Sequence, residues 1–277
     1  MSAPFRLDFL ARRPYSDFHP RFSSALTRLR DWPEPAQYDE LASAVPQAPG
    51  VTLPRFVVEN RQALQRAGGY ENHVATLSAV PTRPHSWHDF FNMSVWGHFP
   101  RLRWALNALH VDDAAGPADP RNRRAPAQNL AATLDETGML VASTSRSLLE
   151  ELRALRFKVV FWERRTELLA TTRFYLVGHG LLESLLTPHP RLAARSLLLH
   201  VPTLSFTELD QQRFELDSLA AARIHRWRER RAMLDPLPVL AIPGYADNGS
   251  ASFYDDPVNQ PFRPVSSRPP STTEHFE

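Results

Sequence analysis

His88 and Asn92 stand four residues apart, and so do His179 and Glu183. Residues three and four apart share one side of a helix. On that spacing the first pair shares a face with Phe91 and Val95, and the second with Leu182 and Leu186. A polar group inside an apolar stripe costs stability unless something satisfies it. An imidazole and a carboxylate four apart can hold one divalent metal or work as an acid–base pair. Two such faces meeting would enclose a polar pocket in an apolar core, the setting of many small-molecule and metal sites. The plainer reading of each pair is a structural hydrogen bond that locks helix packing, and spacing alone does not separate the two.

Asp135 and Glu136 are adjacent in a turn-like stretch, Leu134-Asp135-Glu136-Thr137-Gly138. Acidic residues are common turn formers; as chemistry, they would add carboxylate oxygens for a hard cation. Arg83 precedes a helix start and could clamp an anion there with help from the helix N-terminus, or pair with a nearby carboxylate. Asp89 suits the first turn of that helix through the dipole. His73, His85, His98 and His110 are scattered and read as incidental. Tyr254, Asp255 and Asp256 read as packing of a C-terminal segment over the body. Arg223, Arg226, Arg228, Arg230 and Arg231 form a basic stretch with only Trp227 interleaved, which reads as a solvated face more readily than a nucleic-acid surface.

Composition narrows the classes. The chain has 277 residues, 43% of them hydrophobic and 22% charged, with a formal net charge of +2. That is ordinary for a globular protein with a sizeable core, and it argues against nucleic acid as a whole-molecule partner. Lys158 is the only lysine, so nearly all basic charge is Arg; a GC-rich bacterial genome explains this more simply than selection for bidentate anion recognition. There is no cysteine, which removes disulfides, thiolate zinc sites and Cys nucleophiles. The first residues lack a secretory signal pattern and no apolar run approaches the ~20 residues of a membrane helix, so the expectation is cytoplasmic, with no membrane partner. Neither a dinucleotide or nucleotide loop nor a nucleophile elbow is present.

These side chains need elements to hold them. Ser86 is a helix N-cap with a helix to about Phe99, and Pro100 begins a second helix to about His110. Helices are also expected from Pro20 to about Trp32, within Arg55–Gly68 up to Gly68-Gly69, through most of 145–170, and over Arg191–Leu199 and Thr207–Leu234, the last amphipathic. Residues 33–54 and 112–128 read as irregular, with a short strand near Val51–Val58. Ala131–Thr144 reads as a hairpin, with Gly138 supplying positive φ. Phe174–Leu186 is either a strand running into a helix or one helix weakened by Gly178 and Gly180. The fold class expected is mainly α (α+β), a helical domain with a small β-hairpin element. Residues 1–50 form an irregular or helical N-terminal segment, 51–263 the globular domain, and 264–277 a disordered tail.

Several motifs, in order, carry a resemblance: Val80-Pro81-Thr82-Arg83, Trp87-His88-Asp89-Phe90-Phe91-Asn92, Phe99-Pro100-Arg101, Leu134-Asp135-Glu136-Thr137-Gly138, Gly178-His179-Gly180-Leu181-Leu182-Glu183, Pro238 to Gly244, Phe253-Tyr254-Asp255-Asp256 and Phe262-Arg263-Pro264. Over roughly residues 50–265 the chain resembles the bacterial DUF3025 family. The family is described as one of unknown function, so the resemblance implies no activity. Leu134 stands where the family pattern tends to have Phe, Tyr245 where it has Trp, and Gly180 where it has Ala.

The residues support a metal-assisted hydrolase with a His/carboxylate pocket. His88, His179 and Glu183 would be metal ligands, with Asp135 or Glu136 as ligand or general base. Asn92 would hold His88 in one tautomer, and Arg83 would bind a small anionic substrate. The cofactor would be a divalent metal. The alternative is a non-catalytic binding or scaffold protein in which the polar pairs only lock helix packing. The residues assign neither substrate nor oligomeric state.

Overall fold

The computed structural model describes residues 5–111, 125–204, 207–228, 233–256 and 258–259. The fold is mainly helical with two small sheets. Its first half runs α1 (Pro20–Leu26), α2 (Pro35–Ala44), β1 (Arg55–Val58), α3 (Arg61–Ala67), α4 (Tyr70–Leu77), β2 (Ala79–Thr82), α5 (Trp87–His98) and α6 (Pro100–Val111). The second half runs α7 (Pro126–Thr137), β3 (Gly138–Ser143), α8 (Arg146–Arg153), α9 (Arg165–Thr171), β4 (Thr172–Leu176), α10 (His179–Ser184), β5 (Ala193–His200), α11 (Leu209–His225), β6 (Asp235–Pro238) and α12 (Ala251–Asp255). No helix among the described residues is long and apolar enough to cross a membrane.

Local chemistry sets the boundaries of the helices that matter most. Ser86 Oγ accepts from Asp89 N at 3.2 Å and caps α5. Pro100 opens α6, where its missing N–H is no loss. The next two amides of α6, Arg101 N and Leu102 N, donate to the Asp217 carboxylate of α11 at 3.0 and 2.9 Å. One buried side chain thus caps α6 and fixes α11 across it; its burial lifts the Asp217 pKa to about 6 even against those two bonds. Gly68, in the left-handed region at φ 81°, ends α3.

The strands form a parallel pair, β1 with β2, and a mixed sheet in the order β4-β3-β5-β6. β3 lies inside the mixed sheet, antiparallel to β4 and parallel to β5, and all six of its residues are buried. A parallel pair needs a long crossover; α8, α9, β4 and α10 all fall between β3 and β5. On the helical side, Phe5 and Phe9 from the N-terminal segment pack into α5 through Trp87, Phe90 and Phe91, with Trp32 tilted at 56° against Trp87 at 4.6 Å between ring centroids. Phe9, Tyr15 and Phe22 belong to the same buried cluster as β3.

Several expectations fail for definite reasons. Residues 131–137 are helix, not the first arm of a hairpin. Asp-Glu-Thr-Gly ends α7 and opens β3, and Gly138 sits at φ −73°; turn formers also favour helix ends, so the signal was shared. Arg191–Leu199 is not helical: β5 is paired on both edges and largely buried, so it shows no clean alternation to mark it as a strand. Residues 33–54 contain α2, which Pro35 opens rather than breaks. α1 stops at Leu26, short of Trp32. Phe174–Leu186 is a strand followed by a helix. α11 buries Gln212, Arg213 and Asp217 among its apolar residues, so it is less cleanly amphipathic than expected. The basic stretch continues from α11 through Arg228, while Arg230 and Arg231 lie outside the described residues, as do 112–124, Phe262-Arg263-Pro264 and the expected tail 264–277.

One backbone contact places the site. Val177 N and Gly178 N both donate to Gly138 O, at 3.0 and 2.9 Å. This brings the start of α10 against the end of α7. A Cβ at Gly178 would lie 2.2 Å from Gly138 N and 2.6 Å from Thr137 C, where only rigid backbone could yield. Gly178→Ala is therefore expected to cost about 3 kcal/mol in denaturant unfolding. An unchanged midpoint and slope would contradict this account of the contact.

Candidate metal centre

α5, α7 and α10 each contribute one group. His88 comes from the first turn of α5, Glu136 from the last turn of α7, and His179 from the first residue of α10. The rings of His88 and His179 lie 4.3 Å apart between centroids, edge to face at 87°. Glu136 stands between them: Oε2 is 3.7 Å from His88 Nε2 and Oε1 is 3.6 Å from His179 Nε2. One ligand atom from each of the three residues lies within 4.8 Å of the others. His179 is buried, His88 half-buried and Glu136 exposed, so the group opens to solvent on the Glu136 side. A Cβ at Gly180 would meet Glu136 Oε2 at 2.5 Å; the glycine leaves that carboxylate its room.

Behind each imidazole sits a second carboxylate. Asp89 Oδ1 is 3.2 Å from His88 Nδ1, and Asp135 Oδ1 is 3.4 Å from His179 Nδ1. Each of these carboxylates is in turn held by an arginine. Arg83 donates to Asp89 from Nε at 3.0 Å, Nη2 at 2.7 Å and its backbone N at 2.6 Å. Arg103, only 4% exposed, pairs with Asp135, donates to Asn92 Oδ1 at 2.8 Å, and lies 5.1 Å over the Trp96 ring. Asn92 then donates to Tyr70 Oη at 3.0 Å. Two Arg–Asp–His relays thus converge, through the two Nε2 atoms, on one carboxylate.

The electrostatics differ between the two histidines. The flanking carboxylates, Asp89 first and then Glu136, lift the His88 pKa to about 9 against the cost of its burial. Burial, aided by the Arg103 cation, lowers the His179 pKa to about 3. Burial opposes the Asp89 charge, but hydrogen bonds from His88 and Arg83 outweigh it and hold the carboxyl well below its usual range. His88 likewise keeps Glu136 below the usual range. At neutral pH the metal-free site therefore pairs a cationic His88 with a neutral His179.

The sign of the pH effect follows. The folded-state pKa of His88 lies above its ordinary 6.5, so its ion pairs stabilise the fold fully below pH 6.5 and fade as pH rises through about 9. Thermal melts of the chelator-treated protein should lose stability over that window, and His88→Gln should flatten the loss. An equal slope in both proteins would contradict the pairing.

Asn92 turns to Tyr70 and Arg103, while Asp89 occupies the place behind His88 that the sequence reading gave to Asn92. Asp135 faces the rear of His179, whereas Glu136 faces both Nε2 atoms. Glu183 is half-buried and is not among the three residues whose ligand atoms converge. Arg83 is engaged by Asp89, with its side chain half exposed. Sequence reasoning missed Arg103 and Tyr70 and gave Asp89 only a capping role. Asp89, next to His88 in the helix's first turn, carried a usable signal; Arg103, one of many arginines, carried none.

No curated protein and no solved structure matches the chain. The family model described as "Protein of unknown function (DUF3025)" matches residues 54–265. That span contains every residue of the two relays and all three converging groups. The chain belongs to the DUF3025 family.

Proposed function

We propose that His88, His179 and Glu136 hold one divalent metal and that the protein is a metal-assisted hydrolase. The observation that carries this is the pair of carboxylates behind the imidazoles. Asp89 accepts from His88 Nδ1–H and so fixes the tautomer that presents Nε2, and Asp135 lies 3.4 Å behind His179 Nδ1 with no hydrogen bond formed; carboxylates behind imidazoles are the arrangement found where histidines bind metals. Imidazole and carboxylate donors suit zinc. Two imidazoles and one carboxylate are also a catalytic rather than a closed structural set, because a fourth position stays open.

A bound metal would supply an acidified water and a polarised substrate oxygen. The chain's own groups do the rest. Asp89 orients His88, Asp135 stands behind His179, Arg83 and Arg103 pair with those two carboxylates, and burial keeps His179 neutral. Arg83, engaged by Asp89 with its side chain half exposed, is the cation proposed to receive a small anionic substrate. The zinc-loaded protein should hydrolyse at least one of a set of chromogenic carboxyl, phosphoryl and amide substrates. That turnover should disappear with chelator and in Glu136→Gln. Turnover that survives either treatment, or none with any substrate, overturns the hydrolase reading.

A further inference from the structure

β4 is an edge strand, paired to β3 on one side only. A cavity of about 430 Å³, sharing no residue with the His88–Glu136–His179 group, is lined by Thr172, Arg173, Phe174 and Tyr175 of this strand. Successive side chains of a strand point to opposite faces. A space bordered by a run of consecutive residues therefore follows the strand's edge rather than one face. β3 covers the other edge, so the cavity lies along the unpaired one.

The phase of the ladder decides which backbone groups point that way. Thr144 N donates to Thr171 O and Val177 N to Gly138 O, both at 3.0 Å. In an antiparallel pair, bonded residues alternate with unbonded ones. With Ala142 opposite Arg173 and Leu140 opposite Tyr175, those two β4 residues carry the ladder bonds. Thr172, Phe174 and Leu176 turn their N–H and C=O outward. Thr172 is already served: its N–H closes α9 on Leu168 O, and its C=O accepts from Arg173 Nη1 at 2.9 Å. Among the described residues no hydrogen bond meets the N–H or C=O of Phe174 or Leu176 on the outer side. A small cleft lined by Phe174, Tyr175 and Leu176 carries the same opening further along the strand.

Backbone groups held away from water are nearly always paired, and an open edge is a template for another amide chain. The rest of the lining suits such a visitor. Phe18 and Ile242 join Phe174 as apolar wall. Leu169 and Leu209, also on the lining, are 49% and 59% exposed, so apolar surface continues from the cavity to the exterior. The volume is that of a small-molecule site.

We infer that this cavity binds a small neutral peptide-like amide. The ligand's N–H and C=O pair with the C=O and N–H of Phe174 as a residue of an added strand would, and its apolar side chain lies among Phe18, Phe174 and Ile242. The site is independent of the metal reading above.

Calorimetric titration of the full chain with N-acetyl-L-phenylalanine N-methylamide tests it. One molecule should bind per chain. The analogue methylated on the phenylalanine nitrogen loses the donor and should bind at least about tenfold more weakly. The glycine counterpart loses the apolar side chain and should also bind at least about tenfold more weakly. Phe174→Leu keeps the edge N–H and an apolar wall and should still bind. Phe174→Pro removes that N–H but no ladder bond, a change edge strands tolerate, and should bind at least about tenfold more weakly than Phe174→Leu. Should Phe174→Pro fail to unfold cooperatively, the methylated analogue decides on the wild type alone. Added chelator should change nothing. The inference is overturned if the amide does not saturate by about 10 mM, if the methylated or glycine analogue binds as well, if a folded Phe174→Pro binds like Phe174→Leu, or if chelator abolishes binding.

Discussion

Arg103→Met should destabilise the protein by about 3–5 kcal/mol, the cost of leaving one partner of a buried ion pair without the other. Arg103 is fully enclosed, and its pKa is lowered by that burial. Removing it strands the Asp135 carboxylate behind His179 and takes the donor from Asn92 Oδ1. The double replacement Arg103→Met with Asp135→Leu should recover most of the loss, because an apolar pair of similar volume carries no desolvation cost. Urea unfolding of the three variants measures this. A single-variant loss below about 1 kcal/mol would mean that the pair is solvated and does not organise the core.

The second large effect is on zinc affinity and is graded by position. Asp89→Asn keeps the shape of the group behind His88 but removes its charge, and should weaken zinc about 10–100-fold. His179→Ala and Glu136→Ala each remove a ligand and should lose more than that. Glu183→Gln should stay close to the wild type, since Glu183 is not among the converging residues. Competition against a chelating dye gives all four values. Equal effects at Glu183 and Glu136 would return the carboxylate ligand to α10, where the i, i+4 spacing first suggested it.

That contrast shows what the sequence could and could not reveal. Spacing within one helix was legible. Ser86 and Pro100 marked α5 and α6, and the polar interruptions at positions 88 and 179 marked faces that do meet. Partners across helices were not legible. Glu136 joins the histidines because Gly138 and Gly178 touch through their backbones, a contact between distant segments that leaves only two glycines as its trace. Asp89 was read as a helix-start acid and is that: its backbone N–H donates to the Ser86 cap, while its side chain stands behind His88. The buried Arg103 looked like any other arginine in a chain with 32 basic residues. β5 was missed because burial on both faces erases the alternation that identifies a strand.

Elemental analysis of the purified, untagged protein after dialysis against zinc tests the central claim most directly. One zinc per chain is predicted for the wild type, with none retained by His179→Ala or Glu136→Ala when both variants still unfold cooperatively. A wild type that holds no metal, or variants that hold as much as the wild type, would contradict a metal centre at His88, Glu136 and His179.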